Sequence, residues 1–245
     1  MLPADGRLSV VALAAVCSRR EPLRLVIFDC DGVLIDSEPL TDRVISAVLG
    51  ELGWQISPAE CHSRFLGLSF YDMVPLVEAR LGRPMPYGWV QTLVARLVAV
   101  LAAEVETIAG AGEALAATTA LGLPWRVASN SSRAEMAAKF GRVGLAGKVD
   151  GRLHSLEDLL PNGGRGKPAP DVFLAAAAEE GVPAASCIVV EDSVPGARAA
   201  KAAGMQCLGF SPSGDGAKLA AEGAAPFHAM RDLPVLFRAA VKRMA

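Results

Sequence analysis

The chain has 245 residues, 52% hydrophobic and 20% charged, with 24 Lys plus Arg against 26 Asp plus Glu and a formal charge of −2. This is the composition of a globular protein with enough aliphatic residues to build a core without disulfides or structural metals. Near-balanced charge and 5% aromatic residues argue against a basic, base-stacking nucleic-acid surface, and no apolar stretch approaches the roughly 18 residues of a membrane span.

In chain order, Ser9 to Val16 (SVVALAAV) is a short apolar run after Arg7, soon followed by Arg19, Arg20 and Glu21. One basic residue and a short run suit an extension or a surface helix better than a signal peptide, so residues 1–23 are expected to be an N-terminal extension. Apolar runs then recur at Leu25 to Phe28, Trp125 to Ala128, Cys187 to Val190 and Gln206 to Phe210, each followed by a turn and an amphipathic or Ala-rich segment. Continuous apolar strands alternating with helices predict an α/β fold with a parallel sheet covered on both faces. In such sheets, binding groups gather beyond the carboxyl ends of the strands.

From Ser37 to Thr107 the alternation stops. Helical patterns at Thr41 to Leu52 and Gly88 to Glu106 have no convincing strand between them. A structureless loop of about 70 residues is improbable, so this segment is expected to be a helical cap. The expected division is a core of 24–36 plus 108–245 and a cap of 37–107. Cys17, Cys30, Cys61, Cys187 and Cys207 are odd in number and form no CxxC pair, which suggests neither a disulfide framework nor a zinc site and fits a reducing cytoplasm.

The strand ends carry the chemistry. The first runs into Asp29-Cys30-Asp31-Gly32, and two carboxylates leaving a buried strand are costly unless a cation sits with them. The second ends in Ser129 and Asn130 before a helix, a natural phosphate seat, although serine there also serves as an ordinary N-cap. Gly163-Gly164-Arg165-Gly166-Lys167-Pro168 is glycine-rich but not a P-loop, because Pro168 stands where Ser or Thr is needed. Glu191-Asp192-Ser193 is a second acidic pair, and acids also favour helix N-termini. Each signal alone has an ordinary reading. Together, acid pair, hydroxyl, lysine and acid pair at successive strand ends make chemical sense, because converging carboxylates call for a divalent cation, and Mg2+ takes carboxylates plus substrate phosphate.

This set, Asp29-x-Asp31, Ser129, Lys167 and Glu191-Asp192, resembles the four motifs of the haloacid dehalogenase superfamily, with FDCDGVLIDSE, GKPAPDVF and VVEDSVPGARAAKAAGM as its most specific stretches, from about Arg24 to Phe210. The resemblance implies a Rossmann-like parallel sheet core with an inserted helical cap domain. It is nearest the branch of beta-phosphoglucomutase and sugar-phosphate phosphatases, and FLGLSFYDM and AGAGEAL resemble its 6-phosphogluconate phosphatase-like members. It implies a Mg2+-dependent phosphatase acting on a small sugar or sugar-acid phosphate, in which Asp29 attacks phosphorus to give an aspartyl-phosphate and Asp31 is acid and then base. Mg2+ would be held by Asp29, the backbone carbonyl of Asp31, Asp192 and, directly or through water, Glu191. Ser129, Asn130 and Lys167 would bind the phosphoryl oxygens.

Residue identities discriminate within that family. Asp31 is the acid that dehalogenase members lack, and the absence of any lysine before Lys139 excludes the Schiff-base branch. Leu66, Phe70 and Thr41 stand where a mutase would carry Lys, Arg and His, which counts against the alternative of a sugar-phosphate mutase. A non-catalytic phosphate-binding regulator is a third reading, set aside because nothing in the catalytic set is degraded. The cap loop Phe65 to Tyr71 should choose the leaving group, with Ser37, Glu38, Arg64 and Phe70 as candidate specificity residues and Arg43 as a further cation for an anionic one. His62, His154 and His228 show no ligand spacing and read as structural or surface residues. The expected partner is a small phosphorylated metabolite, with no nucleic acid, no membrane, and a monomer favoured.

Overall fold

A computed structural model describes residues 10–18, 21–66, 68–214 and 216–241. Six parallel strands form one sheet: β1 (Leu25–Phe28), β4 (Trp125–Ser129), β5 (Leu153–Ser155), β6 (Cys187–Glu191), β7 (Gln206–Phe210) and β8 (Ala225–Phe227), in the order β5-β4-β1-β6-β7-β8. The chain winds outward from β1 first to β4 and β5 and then to β6, β7 and β8, so the strand order reverses at β1. That reversal opens a crevice beyond the carboxyl ends of β4, β1 and β6. β5 and β8 were not expected from the sequence, since three residues are too few to register as apolar runs.

All four residues of β1 are fully buried, and their alternation decides which face each serves. Leu25 and Ile27 enter an apolar cluster with Val172, Phe173 and Ala200. Val26 and Phe28 enter the larger cluster on the other face, where Phe28 meets Trp125 and Phe237 edge-on with ring centroids 6.3 and 6.4 Å away. Each such aliphatic or aromatic side chain contributes on the order of 2 kcal/mol by leaving water. A strand buried on both faces reads as a mostly apolar run, which is why β1 and β6 stand out in the sequence and β4 and β7 remain visible despite Arg126 and Gln206.

Helix α1 (Val10–Cys17) lies where an extension or surface helix is expected, with Ala14 exposed on its outer side. Its Ala12 and Val16 are 0% and 1% exposed, and it packs against β8 and the C-terminal helix Leu233–Val241. The remainder of the expected extension, residues 1–9 and 19–20, lies outside the described residues. Among the described residues no helix is long and apolar enough to cross a membrane.

Between β1 and β4 the chain leaves the sheet through β2 (Ile35–Asp36) and returns through β3 (Glu106–Thr107), which pair antiparallel as Ile35↔Thr107 and Asp36↔Glu106. β3 lies inside the stretch where no strand was expected, and two residues are too few to announce themselves. Between these crossings stand α2 (Glu38–Glu51), α3 (Pro58–Phe65), α4 (Phe70–Leu81) and α5 (Trp89–Glu104). Ser57 and Glu60 form a capping box on α3, Ser69 caps α4, and Gly82 ends α4 at φ 67°. α6 (Ala111–Ala120) leads back into β4, and α7 (Arg133–Arg142) follows it, capped by Ser132 and Glu135. α5 packs along α7, so the inserted helices share an apolar cluster with one face of the sheet.

Candidate active site

Strand register brings the acids together. Phe28 lies opposite Val190, so Asp29 and Glu191 leave adjacent strands side by side, with the Asp29 N–H donating to the Val190 carbonyl at 2.9 Å. The chain then turns at Gly32, whose φ is +72°, with the amides of Leu34 and Ile35 donating to the Cys30 carbonyl. A Cβ on Gly32 would stand 2.0 Å from Asp192 Oδ2, so the missing side chain is what lets Asp192 approach.

Two buried lysines divide the carboxylates between them. Lys167, 3% exposed, donates to Asp29 Oδ1 at 2.6 Å and Glu191 Oε1 at 2.8 Å, and its Nζ stands 4.7 Å from the Phe173 ring centroid. Its backbone N–H donates to Asn130 Oδ1 at 3.0 Å, which ties the glycine-rich loop to the end of β4. Lys139, two turns into α7, donates to Asp31 Oδ1 at 2.5 Å and to Ser131 Oγ at 2.8 Å. Ser37 also donates to Asp31 Oδ1, while Ser131 and Ser129 donate to Oδ2 at 2.8 and 3.2 Å.

Glu191 is fully buried, and both of its oxygens accept bonds. Oε1 takes Lys167, and Oε2 takes the amides of Asp192 and Ser193 at 2.8 Å and the Ser193 hydroxyl at 2.9 Å. Gly196 permits this seat, since a Cβ there would fall 1.8 Å from Glu191 Oε1. One carboxylate oxygen from each of Asp29, Glu191 and Asp192 lies within 4.8 Å of the others.

The electrostatics follow from this packing. Burial pushes the Asp29 carboxyl up to about 7, helped by Glu191 and Asp31 and opposed by Lys167. Burial, with Glu191, Glu38 and Asp29, raises Asp192 well above the carboxylate range. Burial also works against ionised Asp31, yet Lys139 and the hydroxyls of Ser37 and Ser131 outweigh it and hold that carboxyl below its ordinary value. Glu38 is pushed up to about 8 by burial and by the charges of Asp31 and Asp42.

Asp29, Asp31, Ser129, Asn130, Lys167, Glu191 and Asp192 line a single cavity, which Ser37, Glu38 and Phe70 also line. Arg64 does not. It is exposed, with its guanidinium 5.9 Å from the Trp54 ring centroid, so its place as a specificity residue is withdrawn. Arg43 is likewise away from the cavity, bonded to Glu104 at 2.8 Å. His62, read as a structural or surface residue, instead lines the cavity with Nδ1 2.9 Å from Asp42 Oδ2. Sequence reasoning also missed Lys139, Ser131, Ser193 and Asp42. Lys139 lies 108 positions from Asp31, inside a helix whose lysine reads as a solvated charge until the fold buries it. Ser131 carried a usable signal, standing in a run of polar residues just after β4.

A family model described as haloacid dehalogenase-like hydrolase matches residues 23–204. The chain is 30% identical to the 6-phosphogluconate phosphatase of Escherichia coli K12 over 89% of its own length and 96% of that protein. It is 35% identical to hexitol phosphatase B of the same organism, over 74% of this chain and 81% of the relative. Among solved structures, a HAD family hydrolase from Deinococcus radiodurans R1 with bound phosphate and sodium is 32% identical and superposes with a TM-score of 0.70, covering 90% of this chain and 97% of that one.

Proposed function

The chain belongs to the haloacid dehalogenase-like hydrolases, and on that premise we propose that it is a Mg2+-dependent phosphatase of a small sugar or sugar-acid phosphate that works through an aspartyl-phosphate. One observation carries the reading: Asp29, held by Lys167, shares a cavity with the oxygens of Asp192 and with the Asp31 carboxylate. Relatives that act on phosphate esters supply the substrate class.

The residues fit a hard divalent cation. The donors are all carboxylate oxygens, as Mg2+ prefers. Seven acids line the cavity (Asp29, Asp31, Glu38, Asp42, Glu135, Glu191, Asp192) against Lys139 and Lys167, and burial with neighbouring acids raises Asp29 and Asp192 even though Lys167 is bonded to Asp29. Asp29 and Asp192 would hold the ion, with Glu191 already occupied in seating Lys167 and the start of the helix Val194–Ala202. Bound there, Mg2+ would offset the repulsion between the Asp29 carboxylate and the phosphate dianion.

A carboxylate oxygen of Asp29 attacks phosphorus, the ester P–O bond breaks, and the departing alkoxide takes a proton from Asp31, which must enter the cycle protonated although Lys139 and the Ser37 and Ser131 hydroxyls favour its ionised form in the free site. Water then attacks the same phosphorus and loses its proton to Asp31. The aspartyl P–O bond breaks, releasing orthophosphate and restoring Asp29. Lys167, the Ser129 hydroxyl and the Asn130 amide compensate the phosphoryl charge, which is where phosphoryl transfer gains most from a protein. The cap wall has Leu66, Phe70 and Thr41 where a mutase needs groups for a second phosphate, so water is the acceptor.

The test is orthophosphate release from an aryl phosphate and from sugar and polyol phosphates with Mg2+, in wild type and Asp29→Asn. The expected result is Mg2+-dependent release that the substitution removes. Full activity in Asp29→Asn would overturn the mechanism.

A further inference from the structure

Resting on that phosphatase reading, we propose that the Asp42–His62 pair is a hydroxyl-binding subsite that selects an uncharged, polyhydroxylated leaving group, a sugar or sugar alcohol, over one carrying a second anion. Three helices build the wall opposite Asp29. α2 turns Glu38, Thr41, Asp42 and Ile45 to the cavity at i, i+3, i+4 and i+7, one helical face. α3 adds His62, Phe65 and Leu66 at i, i+3 and i+4, and the start of α4 adds Phe70 and Met73.

The polar groups on this wall include no Lys or Arg side chain. His62 Nδ1 lies 2.9 Å from Asp42 Oδ2, and a carboxylate cannot donate, so the Nδ1 proton belongs to that bond. Nε2 is left for a second partner beside the carboxylate of Asp42, and with or without a second ring proton the pair carries no net positive charge. An O–H group can donate to or accept from such a pair. A carboxylate or second phosphate brings only more lone pairs and negative charge.

No lysine or arginine on this wall offsets that mismatch. Among the described residues, Lys139 and Lys167 are the Lys or Arg side chains lining the cavity, and both are bonded to carboxylates of the core. Arg43 is bonded to Glu104, Arg64 lies over Trp54, and Arg165, 4.0 Å from Asp171, opens on a neighbouring groove. An anionic leaving group would face the Asp42 carboxylate with no Lys or Arg to pair with, and like charge against a partly desolvated carboxylate is a strong means of rejection.

The pair also ties α2 to α3. A tether alone would change stability and affect all substrates alike, whereas a subsite changes their ratio. The test compares kcat/KM for glucitol 6-phosphate and 6-phosphogluconate, which differ at the far terminus as CH2OH against carboxylate, with 4-nitrophenyl phosphate alongside, all with Mg2+. Wild type should favour the glucitol ester by about tenfold or more. Asp42→Asn should shrink that ratio, and Leu66→Lys, which adds a cation to the wall, should shrink it further. A wild-type ratio at or below unity, or a ratio unmoved by both variants, would overturn the subsite while 4-nitrophenyl phosphate turnover left the phosphatase reading standing. No release from any of the three esters would overturn both.

Discussion

The core wall and the cap wall of the cavity hold their polar groups in different ways. In the core wall, Asp29, Asp31, Lys139, Lys167 and Glu191 bond to one another or to serines at the starts of neighbouring helices. In the cap wall, the Asp42–His62 pair, Glu38 and Thr41 sit among Ile45, Phe65, Leu66, Leu68, Phe70 and Met73. The first arrangement fixes the reacting groups through the rigidity of the sheet and cannot lose one member without orphaning another. The second is a surface of side chains on helix faces, which can change one at a time. The chemistry therefore resides where substitution is costly, and the choice of leaving group where it is cheap.

Substitutions on the two walls should separate these rules. Lys167→Met should have the largest effect, because it leaves Asp29 and Glu191 buried without their shared cation. A loss of about 3–5 kcal/mol is expected by urea unfolding, together with a fall in kcat of roughly 100-fold or more. Next, Mg2+ at about a hundred times its Kd should stabilise wild type by about 2.7 kcal/mol, read as a rise in Tm without any substrate, and Asp192→Asn should abolish that rise. Gly196→Ala, whose Cβ would meet Glu191 Oε1 at 1.8 Å, should cost about 1–3 kcal/mol, although it touches no substrate. On the cap wall, Phe70→Ala should raise KM several-fold for a sugar phosphate while kcat changes by less than about twofold. A cap-wall substitution as damaging as Lys167→Met would erase the distinction.

How much of this was legible in the sequence follows the same division. The sheet was visible because β1, β4, β6 and β7 are buried on both faces and leave mostly apolar runs, broken at Arg126 in β4 and opened by Gln206 in β7. Its functional edge was visible because polar residues follow those runs at once, at Asp29, Ser129 and Glu191. Lys139 was not, because its burial depends on Asp31 from a distant strand and on α5 packing beside α7. The burial of α1 depends on the C-terminal helix, more than 200 positions away. Arg64 differs in the opposite sense: a cation adjoining the cap loop suggested a site residue, but it is exposed, over Trp54 and away from the cavity. Local pattern reveals what one strand does with its own faces, and pairings made across the chain stay hidden until the fold closes.

Cys30 stands in the chain between Asp29 and Asp31 with no exposed surface. Burial, reinforced by the charge of Asp31 and Asp29, pushes its thiol well above the ordinary range. Oxidants and alkylating agents attack the thiolate, and a thiol held protonated out of solvent is inert to them. The same crowding of negative charge that equips the site for phosphoryl transfer also passivates the sulfur packed into the apolar cluster behind it, so turnover should persist under peroxide or iodoacetamide.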